Sequence, residues 1–180
     1  MIRRLFLIAF LACASFSSWA ALTAAQLVTL KAAILASTDP VVIAARAIRD
    51  DNSIRERFNV DSTFVVWKTS VTAAAVGKAM VSTEVGGLTT ANTNRLMVME
   101  AYSGGTFDPQ RADTRAGFDA VFSGAGGVGT RAALLALYKR FATVCERVFA
   151  TGTGSDAVPG LLVVEGQIST DEVSAAMNLP

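Results

Sequence analysis

Apolar residues along this chain recur mostly three and four positions apart, the spacing that lines one face of an α-helix. Leu27, Leu30 and Ile34 follow this rule. Thr23 and Gln26 stand ahead of them at capping-box spacing, and Leu22 faces Leu27 as a hydrophobic staple, which predicts a helix from Thr23. Ser37-Thr38-Asp39-Pro40 ends that element and caps the next, with Pro40 at the first helical position; Ile43, Ala47 and Ile48 are expected inward, Arg46 and Arg49 in water. Asp50-Asp51-Asn52-Ser53 interrupts the pattern before Ile54 to Phe58, and Asn59 closes that turn. Phe64-Val65-Val66-Trp67 fits either a buried strand or the entry of a helix and is assigned to helix.

Alanine-rich Thr72 to Met80 favours helix, punctuated by Gly86-Gly87. Thr89 caps a segment whose apolar stripe is Leu96, Met99 and Tyr102, ending at Gly104-Gly105. Asp108-Pro109 repeats the cap-then-proline start and predicts a helix to Ser123, with Ala112, Arg115, Ala116, Asp119 and Phe122 on its faces. Beyond Gly124 to Gly129, the residues Leu134, Leu137, Tyr138, Phe141, Val144, Cys145 and Val148 predict one long helix over 131–150 as the centre of the fold. Thr151 to Gly160 reads as a loop, Leu161 to Val164 as a short strand, and Ser169 with Glu172 as the capping box of a terminal helix. The expected fold is all-α: a compact bundle of six or seven helices in one domain over 21–180, with at most one short strand or hairpin near 161–165.

Composition narrows the function. Of 180 residues, 52% are apolar and the formal net charge is +1, which excludes a disordered tail and a globally basic nucleic-acid binder. Histidine is absent, removing the commonest general base, the commonest zinc ligand and every Ser-His or Cys-His pair. The expectation is a protein that is not an enzyme, with no catalytic residue, cofactor or metal. Residues 1–20 read as a secretory leader: Arg3 and Arg4 precede an apolar run from Leu5 to Ala14, and Ser18-Trp19-Ala20 ends in a small residue. That run is too short for a comfortable membrane span, so the mature form is expected off the membrane. Cleavage would remove Cys13 and leave Cys145 alone, without a disulfide or a CxxC motif. The competing explanation is an upstream start ahead of a natural beginning near Leu22.

Each motif carries a plain reading beside the functional one. Gly124-Ala125-Gly126-Gly127-Val128-Gly129 has dinucleotide-turn spacing, but charged helical sequence precedes it rather than an apolar strand, and Thr130-Arg131 stands where a phosphate loop needs lysine. Glu100, Asp108, Asp113, Asp119 and Glu146 read as solvated helix faces. Arg111, Arg115, Arg131, Lys139, Arg140 and Arg147 outnumber the acids in the same span; they form either a salt-bridged exterior or a strip, Arg131, Lys139, Arg140 and Arg147, that touches DNA. Cys145 reads as a buried small side chain. Trp67 is a core anchor or an interface hot spot. The polar loop with Thr151, Thr153, Ser155 and Pro159 is a linker or a partner contact.

Four stretches add a resemblance: ALTAAQLVTLKAAI (Ala21 to Ile34), VWKTSV around Trp67, DPQRADTRAGFDAVFSG (Asp108 to Gly124) and KRFATVCERVFATGTGSDAVPGLLVVEGQISTDEV (Lys139 to Val173). Together they resemble small helical proteins encoded among the virion structural genes of tailed bacteriophages and prophages, over nearly all of 21–180. The most specific part is the ATGTGS-x-x-VP loop followed by EGxIS. The resemblance implies a non-enzymatic virion component, a head–tail connector or neck adaptor that forms a ring with its own copies and meets portal or tail proteins, and it transfers no catalytic residues. Trp67, Arg111, Arg115, Thr151, Thr153, Ser155 and Pro159 are the expected contact residues. The leader departs from that family, whose members begin near LTAAQ and assemble in the host cytoplasm. The alternative is an exported bacterial helical binding protein, periplasmic or secreted, whose signal is cleaved after Ala20.

Overall fold

A computed structural model describes residues 21–180; the expected leader at 1–20 lies outside them. The described chain forms α1 (Ala24–Ala36), α2 (Pro40–Ile48), α3 (Asp51–Phe58), β1 (Asp61–Trp67), β2 (Val71–Thr72), α4 (Ala73–Ala79), α5 (Ser82–Gly86) and α6 (Thr90–Tyr102). Then come β3 (Thr106–Phe107), α7 (Ala112–Val121), a 3-10 turn (Ala125–Gly127), α8 (Val128–Leu137), β4 (Lys139–Thr143), α9 (Val144–Phe149) and α10 (Thr170–Met177). The architecture is therefore mixed α/β, with two small antiparallel sheets, and the all-α bundle is corrected. Among the described residues no single helix is long and apolar enough to cross a membrane.

Helix starts follow local capping chemistry. Capping boxes close at Thr23 with Gln26 and at Ser169 with Glu172, and Asp39 accepts from the Val41 amide ahead of Pro40. Thr89 caps α6 as expected, and Thr72, expected within the alanine-rich helix, is the cap of α4. Asp108-Pro109 behaves differently. Asp108 accepts from the Gln110 amide and forms a turn, so α7 begins only at Ala112 and ends at Val121 instead of Ser123. On α2 the buried positions are Val42 and Ala45, while Ile43 and Ile48 face water, which reverses the expected orientation.

The largest correction concerns 64–67 and 131–150. Phe64 to Trp67 belong to β1, and the expected central helix is broken into α8, β4 and α9. β1 and β4 pair antiparallel, with Val65 opposite Phe141, Val66 opposite Arg140 and Trp67 opposite Lys139. A strand as apolar as β1 needs partners for its backbone amides and carbonyls, and β4 supplies them on one edge. The helix restarts at a third capping box, in which Thr143 accepts from the Glu146 amide and Glu146 accepts from the Thr143 amide. Phe141, expected inward, is exposed on β4. The region expected to hold a strand at 161–164 contributes only isolated bridges, Val66 to Gly160 and Thr151 to Leu161.

The two strands run between two apolar cores. One is built from Leu30, Ile34, Val42, Ile54, Phe58, Cys145, Phe149, Ile168 and Val173, joining α1, α2, α3, α9 and α10. The other gathers Trp67, Val71, Val76, Phe107, Phe118, Val121, Phe122, Leu134 and Tyr138 from the middle of the chain. The chain leaves the first lobe along β1, builds the second, and returns along β4. At Gly117 a Cβ would lie 2.7 Å from the Met99 methyl, so a side chain there would require Met99 to move aside.

Candidate functional site

Trp67 closes β1 at the point where both lobes meet. It is buried, and Arg115 of α7 lies over its ring at 4.3 Å from the centroid, with the Lys139 ammonium at 6.0 Å. Arg115 is aimed there because its Nη1 donates to the carbonyls of Pro109 and Gln110 in the turn before α7. These groups border a cleft of about 260 Å³ between α7 and α8, walled by Trp67, Phe118, Leu134 and Tyr138 and rimmed by Arg115, Asp119 and Arg131. Tyr138 is 3% exposed, and its hydroxyl has no hydrogen-bond partner among the described residues. Burial, reinforced by the charge of Asp119, holds that phenol above its ordinary value, so it stays neutral.

The other expected contact residues are dispersed. Arg111 is exposed and paired with Asp113 two positions on, which holds the Asp113 carboxyl down at about 2. Arg111 borders a separate groove with Tyr102, Phe107 and Thr114. The loop 151–160 docks along the second edge of β1: Val65 donates to the Gly154 carbonyl at 2.8 Å, Trp67 to the Gly160 carbonyl at 3.1 Å, and Gly160 back to Val65 at 2.9 Å. Pro159 is buried by this docking, whereas Thr151, Thr153 and Ser155 remain exposed. Thr153 and Ser155 brace the loop through the Val158 carbonyl and amide.

The members of the basic strip fall on α8, β4 and α9, and three of the four are bonded within the protein. Arg131 donates to the carbonyls of Phe122 and Gly124 at the end of α7. Lys139 binds Asp156 at 3.0 Å. Arg140 forks onto Glu146 at 2.6 and 2.7 Å and also reaches Glu165. Arg147 is exposed on α9.

Glu146, expected on a solvated face, is instead buried, and Glu84, which the sequence did not single out, has fixed partners. Glu146 is 1% exposed and accepts from Arg140, the Thr143 amide and the Gly166 amide at 2.6 Å. Glu84 of α5 accepts from the Gly129 and Thr130 amides at 2.9 and 2.7 Å, so it fills the amino end of α8 with an internal anion. The glycine-rich turn there serves a protein carboxylate and not a nucleotide. Hydrogen bonding from Thr130 lowers the Glu84 carboxyl below its ordinary value. Such a group stabilises the fold above the unfolded value, and the contribution is lost as pH falls through the lowered one. Glu84→Gln is expected to lower Tm at pH 7 and to lose that deficit in acid, as differential scanning calorimetry across pH would show.

Thr143-x-x-Glu146 was a visible capping signal that the longer apolar periodicity masked. The pairings of Glu84 with α8 and of Arg115 with Trp67 join residues 45 or more positions apart and left no local signal. No family model, curated protein or solved structure matches the chain.

Proposed function

We propose that this protein is a virion structural subunit of a tailed bacteriophage, a head–tail connector that closes a ring with its own copies and meets portal or tail proteins. The resemblance over 21–180 supports this reading, with assembly in the host cytoplasm. The observation that carries it is a pair of exposed apolar helix faces, one in each lobe. On α2, Val41, Ala44 and Ile48 share one face beside a groove of about 360 Å³, and Ile48 is 76% exposed. On α6, Met97, Val98 and Tyr102 lie outward at 62%, 53% and 88% exposure. Contiguous apolar surface of this kind marks contact with another protein. Ring closure requires two different complementary patches on each subunit, and these two faces supply them. With Arg131, Lys139 and Arg140 engaged internally, the reading rests on protein contact and not on DNA.

Light scattering with size-exclusion chromatography tests it. The unsubstituted protein should assemble with its own copies or with portal or tail protein, and monomers at all concentrations in every mixture would defeat the reading. Ile48→Lys and Met97→Lys should each abolish self-assembly. Mixed together, they should form only heterodimers, since each retains one intact face.

A second reading, an exported binding protein whose leader is removed after Ala20, draws support from the α7–α8 cleft. Amino-terminal sequencing of the native protein separates the two: a start at Ala21 with periplasmic recovery favours export, and recovery in particles favours the connector.

A further inference from the structure

The α7–α8 cleft carries features that the connector reading does not use. Its floor is aromatic and aliphatic: Trp67, Phe118, Leu134 and the ring of Tyr138. Its rim holds two guanidiniums, Arg115 and Arg131, neither of which forms a salt bridge among the described residues. Their Nη1 atoms bond backbone carbonyls, which fixes both planes while leaving the other nitrogens unassigned. The Tyr138 hydroxyl is buried in that wall and lacks a hydrogen-bond partner among the described residues. A buried hydroxyl without a hydrogen bond is costly, and native proteins satisfy such groups with protein, water or ligand.

We propose that this cleft binds a small aromatic monocarboxylate. The planar body suits a wall formed by Trp67, Phe118 and Tyr138, and the carboxylate suits fixed guanidinium donors and a phenol. Asp119 on the rim sets the charge of the ligand: two cations against one anion leave one net positive charge, which matches a carboxylate and opposes a phosphate dianion. At about 260 Å³ the cleft lies just below the about 300–1,000 Å³ of sites for drug-sized molecules, so the ligand is one or two rings in size.

Isothermal titration calorimetry of the full chain with 2-naphthoate tests the assignment, with 2-naphthalenemethanol and naphthyl phosphate as competitors of altered charge. 2-Naphthoate should bind, and the neutral alcohol and the phosphate should each bind at least about tenfold more weakly. Tyr138→Phe keeps the ring and should weaken 2-naphthoate by about tenfold, while Tm without ligand stays level or rises because an unpaired hydroxyl has been removed. Arg115→Gln should weaken it similarly. Absence of binding at millimolar 2-naphthoate would overturn the proposal. So would equal affinity for the neutral alcohol, or unchanged affinity in Tyr138→Phe. A fall in Tm of Tyr138→Phe would also count against it, by showing that the hydroxyl is already satisfied.

Discussion

Glu146→Ala is expected to destabilise the protein by about 3–5 kcal/mol, more than any other single side-chain deletion outside the apolar cores. The carboxylate is buried and ties the β4–α9 junction, through Arg140 and the Thr143 amide, to the Gly166 amide in the loop before α10. Removing it leaves the Arg140 guanidinium with only Glu165 and a backbone carbonyl and strands two buried amides, and the cost of leaving such groups unpaired exceeds the net worth of the pair itself. At about 2–4 °C per kcal/mol for a chain of this size, Tm should fall by about 6–20 °C. Burial alone would raise the Glu146 carboxyl, but the hydrogen bonds from Arg140, Thr143 and Gly166 outweigh it and hold it below the ordinary value. A lowered carboxyl stabilises the fold above its unfolded value of about 4.3 and loses that contribution as pH falls through the folded one. The unsubstituted protein should therefore lose stability steeply below about pH 4, and Glu146→Gln should start lower and show a flatter acid limb. Chemical denaturation at a series of pH values measures both. A Glu146→Ala variant with unchanged Tm would show that water reaches the site and replaces the carboxylate.

Gly154→Ala is the second large effect, with an expected cost of about 2–4 kcal/mol. Gly154 has φ +63°, in the left-handed region, and a Cβ there would drive into the Phe64 ring. Phe64 is also flanked by Gly160, where an added Cβ would lie 2.5 Å from the ring and 2.7 Å from the Thr151 carbonyl. The two glycines form a slot for this phenyl, and the slot holds the loop against the free edge of β1. Opening it exposes the amides of Val65 and Trp67, whose acceptors are Gly154 and Gly160. Hydrogen exchange at those two amides should rise well before global unfolding, and limited proteolysis should cut within 152–158. Exchange that stays unchanged in Gly154→Ala would refute the slot.

Much of the helical framework was legible from the chain alone. The boxes at Thr23 with Gln26 and Ser169 with Glu172, the Asp39-Pro40 start, and the Thr89 cap all sit where short-range chemistry places them, because a capping bond spans only two or three residues. The burial of Cys145 followed from its apolar stripe and the absence of an activating partner. Of the expected contact residues, the sequence singled out Trp67 and Arg115 separately, and the fold brings them into one stack.

Tertiary structure decided the rest. Residues 131–150 satisfy a helical repeat throughout, yet 139–143 form a strand because β1, some seventy positions earlier, offers an edge of backbone amides and carbonyls that β4 pairs. Which face of α2 turns inward depended on where α1 and α3 lie, not on its own periodicity, which accommodates either choice. The destination of Glu84, and the contacts of Glu146 with Gly166 and of Arg140 with Glu165, were likewise set by partners brought close in space. Local hydrogen bonds are encoded within a few residues, whereas strand pairing, charge burial and the cleft beside Trp67 arise only from packing segments distant in sequence.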